Sequence, residues 1–159
     1  LNEIYWDINP DFPNHHPDPT VDENLNDLVK LIKFGNYDLG VAYDGDADRV
    51  VVVDEKSDII RADILMSIFI PSIISKGDSV VFDVKCSRAL ETTIKKYGGS
   101  PIMYKTGHSL IKNKMIDVNS KFGGEMSGHI FFSDRYYGYD DGIYASLRLI
   151  ELLSKSRLA

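Results

Sequence analysis

The sequence predicts an α/β fold made of two consecutive α/β units with mixed sheets. From about residue 58, short apolar stretches of strand length alternate with longer amphipathic stretches of helical length. Glycines and helix-capping residues punctuate these segments, as expected at the ends of helices and strands. Residues 1–57 contain fewer elements and are interpreted as the end of one unit, whereas residues 58–159 are interpreted as a complete second unit.

The first unit begins with a loop and one helix. Residues 9–20 are rich in proline, asparagine and aspartate, which favours a loop. Thr20 or Asp22 is a suitable N-cap for a helix over 23–34, which the glycine at position 35 ends. Apolar residues recur on one face of this helix, at Leu25, Leu28, Val29 and Ile32.

The remaining elements follow from periodicity and from their bounding residues. In order, they are strands at 37–43 and 50–54, a turn at 55–58, a helix from Asp63 through 64–70, a strand at 79–84, a helix at 88–97, a strand at 101–105, a helix at 108–119, short strands at 121–125 and 129–132, and a helix at 143–154. Pro71 is expected to bend or end the second helix because proline lacks an N–H donor. Ser87 and the aspartate pair at 140–141 are expected to be N-caps, and the glycine pair at 98–99 a helix stop.

Composition narrows the possible functions. The chain has 18 basic and 24 acidic side chains, and the resulting net charge of −6 argues against general nucleic-acid binding. No apolar stretch is long enough to span a membrane. A single cysteine, Cys86, cannot form an internal disulfide, which favours a reducing cytoplasm. Because the chain opens on Leu1 and a proline-rich stretch, it is expected to be a piece of a longer protein.

Three aspartates lie at alternate positions in the stretch DGDADR, between two apolar runs. The small residues between Asp44, Asp46 and Asp48 allow the backbone to turn tightly, so that the three carboxylates converge. Such convergence is unfavourable unless a cation neutralises it, and a hard divalent ion such as Mg²⁺ prefers oxygen ligands. Arg49 follows directly and has a rigid fork suited to a phosphate or a sugar hydroxyl.

Other interpretations of this stretch remain open. It is compatible with a solvated acidic hairpin turn, and it resembles the start of an EF-hand loop, with Glu55 at the twelfth position. An EF-hand, however, requires glycine where Arg49 stands, and helices where strands are predicted. A phosphatase with Asp44 as nucleophile and Asp46 as acid is also possible, but it leaves Asp48 and Arg49 without a role.

The stretch GGEMSGH is a second candidate site. Its glycines favour an exposed turn, on which Glu125 and Ser127 provide two hydroxyl-binding groups suited to neighbouring sugar hydroxyls. His129 adds a group that titrates near neutrality. The alternative is a structural β-turn in which Glu125 acts as a cap.

The stretches VKCSR and KTGHS follow two predicted strands, at the edge of the sheet where ligand sites gather. Lys85, Arg88 and His108 would then provide positive charge for a phosphate, although each of them alone is as well explained by a solvated loop.

Two further groups are expected to be structural. Cys86 has no evident base beside it in the sequence and is interpreted as a partly buried, inert thiol. The neighbours His15 and His16 rarely point at one ion, so a rigid loop is preferred to a metal site.

Together these motifs resemble those of a known family. In this order, DGDADR, VKCSR, KTGHS, GEMSGH and DDGIY occur in bacterial-type phosphomannomutase/phosphoglucomutase of the α-D-phosphohexomutase superfamily, and FPNHHPDP is similar to its second domain. The resemblance implies four domains around a cleft, which carry a phosphoserine, a metal loop, a sugar loop and a phosphate-binding loop in turn. It also implies that 1–57 is the latter part of domain 2 and that 58–159 is domain 3, with domains 1 and 4 expected as partners from the same protein.

The resemblance further implies roles for individual residues. The three aspartates would hold Mg²⁺ together with a phosphoserine oxygen. Catalytic roles would fall to Arg49, His108 and His129, with Arg49 placing the reacting hydroxyl and His129 near the reacting oxygen. The substrate-binding residues would be Lys85, His108, Glu125, Met126, Ser127, Gly128 and His129.

The implied reaction interconverts hexose 6-phosphate and hexose 1-phosphate, for mannose, glucose or both, through a hexose 1,6-bisphosphate intermediate. Because the serine loop and the fourth domain's stretch do not occur in this sequence, the chain alone is expected to be inactive. The alternative from another functional class is a non-catalytic fragment that binds sugar phosphate or metal weakly.

Overall fold

The computed structural model describes residues 1–156, which fold into five α-helices and two sheets. The α/β class with mixed sheets is confirmed. After a short 3-10 helix at Asp22–Leu25, the elements are α1 (Asn26–Phe34), β1 (Leu39–Tyr43), β2 (Val50–Asp54), β3 (Ile59–Ile60), α2 (Ala62–Ile73), β4 (Ser79–Asp83), α3 (Arg88–Lys96), β5 (Ser100–Tyr104), α4 (His108–Asp117), β6 (Phe122–Gly124), β7 (Ile130–Phe132) and α5 (Gly142–Lys155). None of the helices within 1–156 has both the length and the apolar character needed to cross a bilayer.

The first sheet is an antiparallel arrangement in the order β1-β2-β3. Tyr43 lies opposite Val50, so the β1–β2 hairpin presents the loop 44–49 at its tip. Strand β3 was missed by the sequence analysis, because two residues are too few to show the alternation that predicts a strand. Its residues Ile59 and Ile60 pair with β2 directly after the predicted turn.

The second sheet has the order β5-β4-β6-β7, and its mixed character comes from β7. The central strand β4 is parallel to both β5 and β6, whereas β7 runs antiparallel to β6. Parallel strands end at a common edge of a sheet, where ligand sites of α/β folds gather. The loops that follow β4, β5 and β6 therefore emerge side by side.

One hydrophobic core joins the two sheets. Val50 and Val52 of β2 belong to the same buried cluster as Phe69 of α2 and Leu149 of α5. Phe69 is central to this cluster, and its ring makes edge contacts with Phe122 at 6.0 Å and with Phe132 at 5.1 Å between centroids. The hairpin that carries the aspartates is thus packed against the second α/β unit.

Several predicted helix ends differ in the structure. The first helical segment begins without a side-chain cap, because Thr20 donates through its amide and hydroxyl to Asp18 instead. Ser87 does not cap α3 with its side chain, and its backbone N–H donates to the buried Asp63. The side chain of Thr20 is thus engaged by a local partner, whereas Ser87 occupies the predicted N-cap position of α3 without a side-chain capping bond.

Pro71 and the aspartate pair give mixed outcomes. Helix α2 continues past Pro71 to Ile73, because a missing N–H near the end of a helix removes little of its hydrogen bonding. Asp141 caps α5 as predicted, accepting a 2.8 Å hydrogen bond from the backbone N–H of Tyr144. Asp140 does not act as a cap; its side chain lies in the candidate site described below.

Candidate functional site

The tip of the β1–β2 hairpin brings three carboxylates together. Ala47 adopts a left-handed backbone conformation, with φ at 60°, and donates a 3.2 Å hydrogen bond to the carbonyl of Asp44. Asp44, Asp46 and Asp48 each place a carboxylate oxygen within 4.8 Å of the other two. Strands flank the loop on both sides, which excludes the helical frame of an EF-hand. An all-oxygen donor set of this kind fits a hard divalent cation.

Arg49 anchors the loop from inside. Its backbone N–H and its Nε donate to the two carboxylate oxygens of Asp44, at 3.1 and 2.7 Å, and its Nη1 donates to Asp18 at 3.1 Å. Burial raises the pKa of Asp44, but the hydrogen bonds from Arg49 outweigh this and hold the pKa below its usual value. Asp18, in the proline-rich loop, is a member of the site that the sequence analysis did not predict.

The charge of Asp48 is poorly compensated. Burial and the neighbouring carboxylates Asp44, Asp46 and Asp140 raise its pKa above the usual value, although the attraction of His129 opposes them. Like charges held this close are relieved by a cation. This environment agrees with the interpretation of the hairpin tip as a metal-binding loop.

The sugar-loop candidate, 124–129, docks on the start of β2. Gly128 has a φ of 102°, and a Cβ atom there would lie 2.8 Å from the carbonyl oxygen of Val50. The Gly128 carbonyl accepts a 3.1 Å hydrogen bond from the Val50 N–H, and Arg49 forms a β-bridge with His129. Main-chain contacts therefore hold the two predicted loops side by side, and glycine is needed where they meet.

His129 joins the two loops chemically. Its Nδ1 lies 2.9 Å from the hydroxyl of Ser127 and 3.1 Å from Glu125, and its Nε2 lies 3.3 Å from Asp48. Burial lowers the pKa of His129, but the hydrogen bond to Glu125 and the charge of Asp48 outweigh it and raise the pKa. Glu125 is buried and also accepts a short hydrogen bond from the Gly107 N–H in the KTGHS stretch.

A third group extends the site toward solvent. The ring of His108 stacks on that of His129, with centroids 5.4 Å apart, and its Nδ1 lies 2.9 Å from Asp140. Lys112 binds the other carboxylate oxygen of Asp140 at 2.8 Å. Burial raises the pKa of Asp140, but the hydrogen bonds from Lys112 and His108 outweigh it and lower the pKa. Asp140 was predicted only as a helix cap, and Lys112 was not predicted as part of the site.

Asp83, at the end of β4, supports the site from within the protein. It is fully buried and accepts hydrogen bonds from the Cys86 thiol at 3.1 Å, the Thr106 hydroxyl at 2.9 Å and the Met126 N–H at 3.1 Å. These donors belong to the loops after β4, β5 and β6, so one carboxyl group ties all three together. Burial raises the pKa of the Cys86 thiol, which keeps it protonated and agrees with the inert role predicted for it.

Other predicted residues do not join this group. Lys85 and Arg88 are exposed, and neither side chain makes a hydrogen bond or an ion pair with any residue in 1–156. The two clusters in 1–156 that can hold a metal ion include neither His15 nor His16. His15 instead packs edge-on against the ring of Tyr5, with centroids 5.4 Å apart, which agrees with the structural role predicted for that loop.

Family comparisons agree with this geometry. Residues 61–159 match the family model for phosphoglucomutase/phosphomannomutase alpha/beta/alpha domain III, and residues 2–57 match the model for domain II. The chain belongs to the phosphoglucomutase/phosphomannomutase family. The predicted resemblance is thereby confirmed.

Individual members of the phosphoglucomutase/phosphomannomutase family are closely similar to this chain in sequence and in structure. A phosphomannomutase/phosphoglucomutase of Pseudomonas aeruginosa is 50% identical over 97% of this chain, and a phosphoglucomutase of Neisseria gonorrhoeae is 46% identical over 98% of it. The crystal structure of a family protein from Burkholderia thailandensis superposes with a TM-score of 0.95 and 44% identity over 99% of the chain. The chain spans about a third of these relatives, 34% of the two sequences and 35% of the crystallised chain.

The contact between Gly142 and the backbone of the hairpin loop 44–49 generates a first prediction. Gly142 opens α5 and donates to the Ala47 carbonyl at 2.9 Å, and a Cβ atom there would lie 2.7 Å from the Arg49 carbonyl oxygen. Gly142→Ala is expected to destabilise the hairpin tip by about 1–3 kcal/mol, because neither backbone can yield freely. Hydrogen exchange of the amides at 44–49 measures this. Ile143→Ala, at a half-exposed neighbour, is the control, and unchanged exchange in Gly142→Ala would contradict the prediction.

The Asp83 network generates a second prediction. Asp83→Asn keeps the size of the side chain but replaces one accepting oxygen by an NH₂ group. Because Oδ1 accepts from Cys86 and Met126 and Oδ2 accepts from Thr106, either one or two of the three donors lose their acceptor. The loops after β4, β5 and β6 are expected to lose about 1–3 kcal/mol of stability against local opening, measured as faster amide exchange at Met126. Asp117→Asn, at an exposed position of α4, is expected to leave that exchange unchanged. Equal exchange in the two variants would refute the role of Asp83.

Proposed function

We propose that the protein containing this chain is a Mg²⁺-dependent phosphosugar mutase that interconverts hexose 6-phosphate and hexose 1-phosphate, acting on mannose, glucose or both. The observation that carries the proposal is the 3.3 Å contact between His129 Nε2 and Asp48. This contact brings the proposed metal-binding loop, 44–49, and the sugar-loop candidate, 124–129, into one site. Phosphoryl transfer to a sugar requires both functions at one place. The names of the relatives from Pseudomonas aeruginosa and Neisseria gonorrhoeae support it.

In the proposed reaction, a phosphoserine gives its phosphate to the free hydroxyl of a sugar monophosphate. The bisphosphate that forms turns over in the cleft and returns its other phosphate to the serine. We assign the phosphoserine loop and the phosphate-binding loop to domains 1 and 4 of the same protein. We also propose that 1–57 is the latter part of domain 2 and that 58–159 is domain 3.

Asp44, Asp46 and Asp48 would hold Mg²⁺, since their oxygens converge and the charge of Asp48 is poorly compensated. The ion, when bound, neutralises charge on the transferring phosphoryl group. Arg49 keeps the loop in shape through Asp44, and its guanidinium has five N–H donors, of which the contacts to Asp44 and Asp18 use two. The other donors are available to place the reacting hydroxyl.

His129 is the proposed acid and base. Glu125 and Ser127 contact its Nδ1, which leaves Nε2 to accept the proton of the attacking hydroxyl and to return it to a leaving oxygen. His108 lies beside His129, half exposed, where it can contact the substrate.

We assign substrate binding to residues 125–129 of the sugar-loop candidate, 124–129. Lys85 is assigned as an exposed cation that binds phosphate. Glu125 accepts and Ser127 both donates and accepts, so the pair can bind two neighbouring hydroxyls of the sugar. Met126 and Gly128 would shape the backbone of this loop. Because the loop would bind the hydroxyls of the sugar, the bisphosphate could bind in either orientation. The preference between mannose and glucose is left open in this proposal.

A phosphatase with Asp44 as nucleophile is less well supported. Arg49 engages both carboxylate oxygens of Asp44, so attack on a phosphate would first have to break two hydrogen bonds. For the 159-residue chain by itself, we propose weak binding of metal or sugar phosphate without turnover. The single, buried Cys86 favours a reducing cytoplasm as the location of the protein.

The proposal predicts metal-dependent mutase activity that depends on Asp46. In a coupled assay of the full-length protein, glucose 1-phosphate or mannose 1-phosphate should turn over with Mg²⁺. Asp46→Asn should lower turnover by about 100-fold at limiting Mg²⁺, because one charged ligand is lost. Asp58→Asn, an exposed aspartate in the turn after β2, is the matched control.

Three results would contradict these assignments. If the unaltered protein turns over neither sugar phosphate, the proposed mutase function is wrong. Unchanged activity of Asp46→Asn at limiting Mg²⁺ would remove the metal assignment. Steady release of inorganic phosphate, lost in Asp44→Asn and independent of any serine donor, would favour the phosphatase.

A separate prediction concerns Glu125. Glu125→Gln keeps the length of the side chain but removes the charge that accepts from Gly107 and His129. We expect kcat/KM to fall by about 100-fold or more, through a lower kcat and a higher KM together, because sugar binding and the histidine both depend on this carboxylate. Glu91→Gln, at a partly exposed glutamate of α3 that pairs with Lys95 outside the candidate site, should match the unaltered protein. If Glu125→Gln shows an unaltered kinetic profile, Glu125 has no part in the site.

A further inference from the structure

We propose a second cation site, which shares only Asp48 with the aspartate triad, and which binds Zn²⁺ or a similar borderline ion and inhibits the enzyme. Four side chains form it, namely Asp48, His108, His129 and Asp140, and each can place one ligand atom within 4.8 Å of the other three. The binding part of this inference stands on its own. The inhibitory part rests on the proposed mutase function.

The distances suit a tetrahedral ion. Nε2 of His129 lies 3.3 Å from Oδ1 of Asp48 and 4.0 Å from Oδ2 of Asp140, and Nδ1 of His108 lies 2.9 Å from the same oxygen of Asp140. Zn²⁺ binds nitrogen and oxygen at about 2.0–2.2 Å, so neighbouring ligands around a tetrahedral ion are about 3.3–3.5 Å apart. The three distances fall on either side of this range and the remaining pairs of ligand atoms lie within 4.8 Å, so side-chain shifts of up to about one ångström would close the site.

The groups behind the ligands orient them for metal binding. Nδ1 of His129 is held by Glu125 and Ser127, which leaves Nε2 facing Asp48 and Asp140. A carboxylate behind a histidine in this way is the usual support of a metal-bound imidazole. Lys112 likewise holds Oδ1 of Asp140, so that Oδ2 faces the two histidines.

The donor atoms separate this site from the Mg²⁺ loop. Two imidazole nitrogens and two carboxylate oxygens suit Zn²⁺, whereas Mg²⁺ prefers the all-oxygen set of the triad. Asp48 is the one ligand that both sites share. The side chain of His108 is 50% exposed, which gives an ion access from solvent.

Occupancy of this site would stop the proposed chemistry. The hydrogen bond to Glu125 already uses Nδ1 of His129, and an ion on Nε2 would use the second nitrogen. His129 then has no free position to accept a proton from a sugar hydroxyl. Inhibition is therefore expected with Mg²⁺ present, without displacement of Mg²⁺ from Asp44 and Asp46.

The test uses Co²⁺ as a spectroscopic probe in the full-length protein, at saturating Mg²⁺. Tetrahedral Co²⁺ absorbs visible light strongly, whereas octahedral Co²⁺ in an all-oxygen site absorbs weakly. We expect one equivalent of the strong absorption, removed by Zn²⁺, together with Zn²⁺ inhibition over the same concentration range. Asp140→Asn and His108→Gln should each weaken Zn²⁺ binding by at least about tenfold and remove the strong absorption.

Asp46→Asn is the matched control, because it makes the same change of charge but alters only the triad. It should keep the strong absorption. Circular dichroism confirms folding of each variant, and the half-exposed His108 provides a substitution that leaves the core intact.

The outcomes separate the two proposals. Only weak absorption, or a strong absorption lost in Asp46→Asn and kept in Asp140→Asn, would overturn the second site, even where the Mg²⁺-loaded protein is an active mutase. Strong absorption in a protein without mutase turnover would support this site and count only against the proposed function. Strong absorption without Zn²⁺ inhibition of an active enzyme would overturn the inhibitory role.

Discussion

The buried carboxyl group of Asp83 is the interaction on which the rest of the site depends. Its three donors lie in the loops after β4, β5 and β6, so one acceptor fixes three chain segments that carry different functional side chains. A buried polar group is stable only while its hydrogen bonds are made, which makes this arrangement cooperative. Glu125 adds a second tie between two of these loops, through its bond from Gly107. The geometry around His129 is therefore set by two buried carboxyl groups, those of Asp83 and Glu125.

The hairpin with the aspartates is held to that frame by three kinds of contact. Val50 and Val52 lie in the core that α2 and α5 share with the second sheet, the start of α5 touches the hairpin backbone at Gly142, and the Val50 N–H bonds to Gly128. Packing between the two units therefore places the carboxylates close to His129. Neither loop alone would fix this position.

Sequence patterns predicted what is local and missed what is distant. The convergence of the three aspartates and the glycine-rich turn of GGEMSGH were predicted because each stretch is contiguous and bounded by strand or turn signals. Asp83 reads locally as the end of an apolar strand and Asp140 as a helix cap, yet their partners Met126 and His108 lie 43 and 32 residues away. The hydrogen bond from the Ser87 backbone N–H to Asp63, 24 residues away, was likewise not predicted. Such pairings follow from the order of strands in the sheet, which periodicity does not encode.

The hydrogen bond between the Val50 N–H and the Gly128 carbonyl has a consequence for redesign of this site. Because it joins main chain to main chain, the spacing between the two loops does not depend on which side chain stands at position 127. If the loop binds sugar hydroxyls as proposed, its selectivity can therefore be altered by exchanging Ser127 while the hairpin stays in register. Gly128 offers no such freedom, since any Cβ atom there would collide with the backbone of β2. Adjacent positions of one short loop thus differ sharply in how far they can be varied.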